Sequence, residues 1–221
     1  MRARTVLSWS SGKDSAWSLL ELRRRPELEV VGLLTTVTRA FDRVAMHGVR
    51  EALLERQASA CGLPLLKVEI PSPCPNAVYE QAMRAAIDRL TSDGVSQMAF
   101  GDLYLTEIRE YREAKLRGTG ITPIFPLWGR PTAELARAMI DGGLEATAVC
   151  VDPAKLPASF AGRRFDRSFL ADLPAGVDPC GENGEFHTFV SGGPMFDRPI
   201  GIAAGPVVER DGFVFADLVP A

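Results

Sequence analysis

No stretch of this 221-residue chain runs for about 18 apolar residues without a break, the length a helix needs to cross a bilayer, so the sequence offers no membrane span. An excess of either charge is missing too. Against 25 Lys and Arg stand 28 Asp and Glu, a formal net charge of −3. With no global basic field, a polyanion such as tRNA would need a local patch, and nucleic acid is not the default partner. A run of arginines at 23–25 closes an expected helix, where cations favour the carbonyl end. Cysteine is sparse: Cys61, Cys74, Cys150 and Cys180 lie far apart, with no C-x-x-C pair and no zinc-like grouping. That spacing excludes a disulfide framework and suits free thiols in a reducing compartment. Residues 1–4 lead straight into a strand-like run rather than the longer apolar stretch of a secretory signal, so a cytoplasmic location is expected. No internal repeat or low-complexity tract appears. What remains is ordinary globular composition, 46% hydrophobic and 24% charged.

The chain alternates. Residues 5–9 are largely apolar and partly β-branched, and 14–25 carry Ala16, Trp17, Leu19 and Leu20 at helical spacing. Strands follow at 30–34 and 65–70, separated by an amphipathic helix over 47–61 that ends at Gly62. The pattern continues with a helix at 76–91, a strand at 95–100, a helix at 103–117 stopped by Gly118, and an irregular strand at 121–128 interrupted by Pro123 and Pro126. Residues 132–140 read as a helix and 146–151 as an apolar run. Beyond Pro153 the rhythm gives way to Pro, Gly and short runs at 186–190, 200–203 and 213–218 that look like antiparallel strands. The expectation is an α/β fold: a doubly wound parallel sheet covered on both faces, over residues 1–127, with a smaller C-terminal α+β domain over 128–221.

The first strand ends in Ser8-Trp9-Ser10-Ser11-Gly12-Lys13-Asp14-Ser15, immediately before a helix. Open parallel sheets bind ligands beyond the carboxyl ends of their strands. Here Gly12 lets backbone approach an anion, amides at a helix start point toward it, Ser10, Ser11 and Ser15 offer hydroxyls, and Lys13 adds a point charge. The loop suits phosphate. It is not the G-x-x-x-x-G-K-[ST] loop of kinases and GTPases: no glycine lies five residues before Gly12, and Asp14 follows Lys13. A carboxylate inside an anion loop calls for compensation, which Mg²⁺ bridging Asp14 to the phosphates would supply. The bland alternative is that Asp14 caps the helix.

A second cluster, Asp178-Pro179-Cys180-Gly181-Glu182-Asn183-Gly184-Glu185-Phe186-His187-Thr188, packs ionisable side chains and glycines into an expected turn before a strand. The first loop resembles the S-G-G-K-D-S signature of the PP-loop ATP pyrophosphatases, with Ser11 in place of the first glycine. The two together resemble the diphthine-ammonia ligase family and its bacterial relatives, whose second signature reads E-G-G-E-F-E-T or G-E-N-G-E-F-H-T. His47-Gly48-Val49-Arg50, Phe100-Gly101-Asp102-Leu103 and Pro126-Leu127-Trp128 fit the same resemblance, which spans nearly the whole chain.

That resemblance implies a HUP-type ATP-binding domain and a substrate-binding C-terminal one. A substrate carboxylate, small or protein-borne, would be activated as an acyl-adenylate with release of pyrophosphate and then amidated by ammonia. By motif, Ser10, Ser11, Gly12, Lys13, Asp14 and Ser15 would hold ATP and Mg²⁺, Thr35 and Thr36 at a strand's end would lie near the adenosine, and Gly101 and Asp102 would line the same crevice. Glu182, Gly184, Glu185, His187 and Thr188 would face the acceptor. His187 stands where the diphthine enzymes carry Glu; a group titrating near neutrality in place of an anion argues against diphthine as the substrate. Two rivals remain: a tRNA-modifying PP-loop enzyme, for which Cys74 and Cys180 are the candidate thiols, and a HUP-domain nucleotide sensor without turnover. A homodimer is compatible with the sequence but not established by it.

Overall fold

The computed structural model describes residues 1–38, 43, 44 and 48–221, the side chains of Arg43 and Val44 excepted. His47, the expected start of the second helix, lies outside the described residues. Strand β1 (Ala3–Ser8) is the hub of the first sheet. It runs parallel to β2 (Leu28–Thr38) on one side and to β5 (Gln97–Ala99) on the other; β2 continues to β4 (Leu65–Ile70), and β5 to β6 (Thr122–Ile124). The two-residue β3 (Arg43–Val44) folds back antiparallel on the end of β2.

Strand pleating explains the two faces. Neighbours Val6 and Leu7, or Leu34 and Leu33, point to opposite sides of the sheet. Leu7 and Leu33 join the layer of α1 (Lys13–Arg23) and α2 (Glu51–Cys61). Val6 and Leu34 pack with Ile87 and Leu90 of α3 (Asn76–Ser92) and Leu116 of α4 (Thr106–Leu116). The chain steps outward from β1 to β2 to β4, then returns to place β5 beside β1. That reversal opens a crevice beyond the carboxyl ends of β1 and β5.

After α5 (Thr132–Asp141) comes the second sheet, in the order β8-β7-β10-β9 and antiparallel throughout. Its strands are β7 (Glu145–Val151), β8 (Phe186–Gly192), β9 (Ile202–Arg210) and β10 (Phe213–Pro220). A one-turn helix, α6 (Arg167–Ala171), opens on Asp166, whose carboxylate accepts from the Phe169 amide at 2.8 Å. Both sheets share one core: Leu7 and Leu33 belong to the same apolar cluster as Val149, Phe186 and Phe189.

Several borders move for physical reasons. Strand β2 overruns its expected end at Leu34 because β4 keeps pairing with it, Thr35 to Lys67 and Thr36 to Val68. The strand at 121–128 shrinks to three residues: Pro123 has no amide to donate, and the chain turns at 126–129. Helix α4 begins at Thr106 rather than Leu103, because the preceding residues form a loop used by the site. The expected strand at 200–203 is only the start of β9, whose later residues are exposed and carry no apolar alternation. Among the described residues no helix is long and apolar enough to cross a membrane.

Candidate functional site

β1 brings the chain to the crevice at Ser8, and residue 11 must turn it back toward α1. Ser11 does so in the left-handed region, at φ 72°, and is wholly buried. For an L residue this conformation costs about 1–2 kcal/mol. The turn is held from behind. The Ser11 carbonyl accepts from Gln57 Nε2 at 3.0 Å and from the Val190 amide of β8 at 3.0 Å. Gln57, fully buried on α2, also donates to the Val190 carbonyl at 2.7 Å and accepts from Trp9 Nε1 at 2.9 Å. The Ser11 hydroxyl is buried without a hydrogen-bond partner. Ser11 therefore acts through its backbone and does not line the cavity, which corrects its expected role as a phosphate hydroxyl. Replacing Ser11 by Gly should raise stability by about 1 kcal/mol, read as a higher urea midpoint at unchanged slope; a lower midpoint would show that the turn is unstrained.

Helix α1 starts on Gly12, whose added Cβ would sit 3.2 Å from the Thr188 carbonyl, so a side chain here would press on β8 where it approaches the helix end. No side chain caps α1, so Asp14 is not a capping residue. Thr188 Oγ1 accepts from the Lys13 amide at 3.0 Å, which engages one of the amides expected to meet an anion. Lys13 is 2% exposed; its ammonium pairs with Asp14 Oδ2 at 2.9 Å and donates to the Cys180 carbonyl. The Phe186 ring centroid lies 5.3 Å away and that of Phe165 5.7 Å. Burial, the largest single influence, works to lower the Lys13 pKa, but the charge and hydrogen bond of Asp14 together with Cys180 and Glu182 outweigh it, and the ammonium is held above its ordinary value. For Asp14, burial raises the pKa against the pull of Lys13. Its Oδ1 is buried and unpartnered.

The second signature forms the opposite wall and braces itself. Asp178 Oδ1 accepts from the amides of Cys180 (2.8 Å) and Glu182 (3.2 Å), and Oδ2 accepts from the Thr132 hydroxyl at 2.6 Å. Glu185, 3% exposed, accepts from the Asp178 amide at 3.0 Å and from Asn183 Nδ2 at 3.1 Å. It lies behind the loop and not on the cavity, so its expected contact with substrate gives way to a bracing one. Glu182 reaches across to accept from the Leu103 amide at 2.7 Å, and the Tyr104 hydroxyl donates to Asn183 at 3.1 Å. Burial foremost, with the nearby charge of Asp14, lifts Glu182 to about 7. His187 is driven the other way, to about 4, by burial and then by Lys13. At neutral pH it is an uncharged imidazole, not the near-neutral titrating group its type suggested. Cys180 is buried, its thiol directed at the Thr132 carbonyl at 3.4 Å, with its pKa raised by burial; such a thiol is a poor nucleophile.

Between the walls lies a cavity of about 290 Å³ at the sheet's crevice. It gathers Ser10, Gly12, Lys13, Asp14, Ser15, Gly101, Asp102, Glu182, Gly184, His187 and Thr188 from the expected set. Thr35 and Thr36 do not line it; they sit within β2, Thr35 buried and Thr36 half-buried. Gly101 is there for space: a Cβ would come within 3.1 Å of the Asp14 and Ser15 backbone. Two contributors escaped the sequence, Gln57 behind the loop and Arg112 on the cavity wall. Gln57 did leave a signal, a polar residue on the apolar stripe of Leu53, Leu54, Ala58 and Cys61. Two cations, Lys13 and Arg112, face three carboxylates, Asp14, Asp102 and Glu182. A polyphosphate entering here needs added positive charge, and the unpartnered Asp14 oxygen fits a divalent cation arriving with it. Among the described residues no group of three or more His, Cys, Asp or Glu side chains could hold a metal alone.

Comparison with known proteins places this arrangement. Residues 3–123 match a family model described as the diphthamide synthase N-terminal domain, and residues 131–213 match one described as the diphthamide synthase C-terminal domain. Similar whole proteins include the diphthine–ammonia ligases of Danio rerio, 28% identical over 230 residues, and of Homo sapiens, 24% identical over 237. These alignments cover 94% of this chain and 89% and 85% of those relatives.

Proposed function

The chain belongs to the diphthamide synthase family, and from that premise we propose that it is an ATP-dependent amide-forming ligase, which adenylates a carboxylate, releases pyrophosphate and passes the acyl group to ammonia. One observation carries the proposal: the Ser10–Ser15 loop and Glu182 face one another across a single cavity at the point where the strand order reverses. Gly12, Ser10, Ser15 and the first turn of α1 bind the phosphates. Lys13 and Asp14 manage their charge, and Asp14 would hold Mg²⁺, which when bound neutralises the departing pyrophosphate.

The carboxylate oxygen of the acceptor attacks the α-phosphorus, and the bond to pyrophosphate breaks. Nitrogen then attacks the acyl carbon, AMP leaves with the electron pair of the broken C–O bond, and Glu182 takes the proton lost from nitrogen. A base with a pKa near the working pH suits that transfer. The neutral His187 puts no anion on this wall of the cavity, where the resemblance sets a glutamate, and on that ground the acceptor is a carboxylate other than diphthine. The partners of this reading are ATP, Mg²⁺, ammonia and a small or protein-borne acid, in the cytoplasm.

The test is product analysis with MgATP, ammonium and a panel of acids. AMP, pyrophosphate and amide in equal amounts are expected. ADP and phosphate would overturn the proposal, and tight ATP binding without any turnover would favour the sensor.

Glu182 also predicts a pH signature. Amide formation should rise with an inflection near 7 as Glu182 loses its proton to solvent among Lys13, Asp14, Asp102 and the Leu103 amide. Glu182→Gln should lower the rate by about 100-fold and erase that inflection, leaving only the rise due to free ammonia at higher pH. Stability moves oppositely. Because the folded protein binds this proton more tightly than the unfolded chain, Glu182 opposes folding progressively from its ordinary 4.5 up to about 7 and fully above it. Glu182→Gln should therefore be the more stable protein at pH 8, and a destabilised variant would contradict the assignment.

A further inference from the structure

A second cavity, of about 80 Å³, lies between α3 and α4 over β5. Its floor is apolar, with Met83, Ile87, Met98, Phe100 and Leu116. Arg84, Arg112 and Lys115 contribute three cations to its rim against one carboxylate, Glu80, which Lys115 already pairs at 2.6 Å. At about 10–15 Å³ per water-sized group, it holds roughly six such groups.

Phe100 and Arg112 line both this cavity and the nucleotide cavity, so they form the partition between them. The Arg112 guanidinium lies 4.8 Å from the Phe100 ring centroid. It faces Asp102 with Nε 3.5 Å from Oδ2, a geometry that leaves both of those buried atoms without a proper hydrogen bond. Arg112 is 30% exposed and has Asp102 as its ion-pair partner, but its buried Nε hydrogen is unspent, and at the boundary between an apolar cavity and a phosphate site that edge is placed to take a carboxylate.

We infer that the α3–α4 cavity is the acceptor site: it takes a short carboxylic acid with an apolar body, whose carboxylate is held by Arg112 and presented to the nucleotide cavity beside Gly101, Asp102 and Glu182. This rests on the ligase proposal and adds to it the chemical class of the acceptor. The cationic rim excludes amines, the small apolar floor excludes polar and bulky acids, and Arg112, shared by the two cavities, holds the reacting oxygen at their common wall.

Binding of hexanoate, phenylacetate and their primary amides, measured by calorimetry with and without a non-hydrolysable ATP analogue, tests this. The acids should bind about 10- to 100-fold more tightly than the amides, the size of a lost charge-assisted contact. Arg112→Gln should erase the difference between acid and amide, and Arg112→Lys should restore part of it. Met83→Trp fills the cavity and should abolish acid binding while the analogue still binds, which also reports that the variant is folded; Met83→Phe serves if the larger ring prevents folding. Equal binding of acids and amides, or undiminished acid binding in the filled variant, overturns the acceptor assignment. If acids bind as described and the ATP analogue does not, the cavity assignment stands and the ligase proposal fails.

Discussion

Asp14→Asn is expected to lower pyrophosphate release by about 1,000-fold or more, the scale of losing a metal-held charge at a departing polyphosphate. The substitution is near-isosteric and keeps the amide oxygen as an acceptor for Lys13, so the loop should persist and the loss should fall on turnover. Burial already raises the Asp14 pKa, and one carboxylate oxygen has no partner. The folded protein thus carries a charge that it does not fully satisfy, and a cation entering with the triphosphate would satisfy it. Removing that charge should disable the reaction, and because it also takes the counter-charge from the buried Lys13, the ligand-free protein should lose some stability as well. Measurement of both quantities decides the matter: a fully active Asp14→Asn protein sinks the magnesium role. Lys13→Ala is the less informative variant. Lys13 is buried between Phe165 and Phe186 and anchors the Cys180 carbonyl, so its loss leaves Asp14 buried and unpaired, a defect worth about 3–5 kcal/mol of stability.

Gln57→Leu should be the most destabilising single change behind the site. It removes no volume to speak of, yet it deprives Trp9 Nε1, the Ser11 carbonyl and the Val190 carbonyl of a partner. The Ser11 carbonyl keeps the Val190 amide, so at about 1–2 kcal/mol for each of the two other groups left unsatisfied the cost is roughly 2–4 kcal/mol. For a chain of this size that is a fall of about 5–15 °C in melting temperature. ATP affinity should drop as well, because the left-handed turn at Ser11 loses one of the two donors that hold it. A variant melting within a degree or two of wild type would show that Gln57 is dispensable.

The first half of the fold was legible because each element there is written twice, once in apolar periodicity and once in its punctuation. Val6 and Leu7 alternate, α2 stops on a left-handed Gly62, and Pro126 stands where β6 has given way to a turn. The 3.6-residue and two-residue periods decide which face is buried before any tertiary contact exists. Strand β9 was only partly legible because its residues are mostly exposed and its pairing with β10 is fixed by long-range register. The site divides the same way. Gly12, Lys13 and Asp14 could be set at the crevice because a strand-to-helix turn fixes where such a loop must lie, and they do line the cavity there. The roles of Ser11 and Glu185 did not, since whether a polar side chain faces ligand or braces backbone depends on which way the loop turns. Arg112 was invisible: an arginine on an exposed-looking helix gives no hint that it sits on a partition between two cavities.

The contacts of β8 with the phosphate loop reach from the first strand of the chain almost to its end: Thr188 to Lys13, and Val190 to Ser11. On the ribosome, the loop emerges first and is completed late. Local bonds and Gln57 can begin to shape residues 10–15, but the contacts from Thr188 and Val190 wait until some 175 further residues have been made. A chain that ends before Thr188 therefore lacks both of the bonds by which β8 closes the loop at residues 10–15.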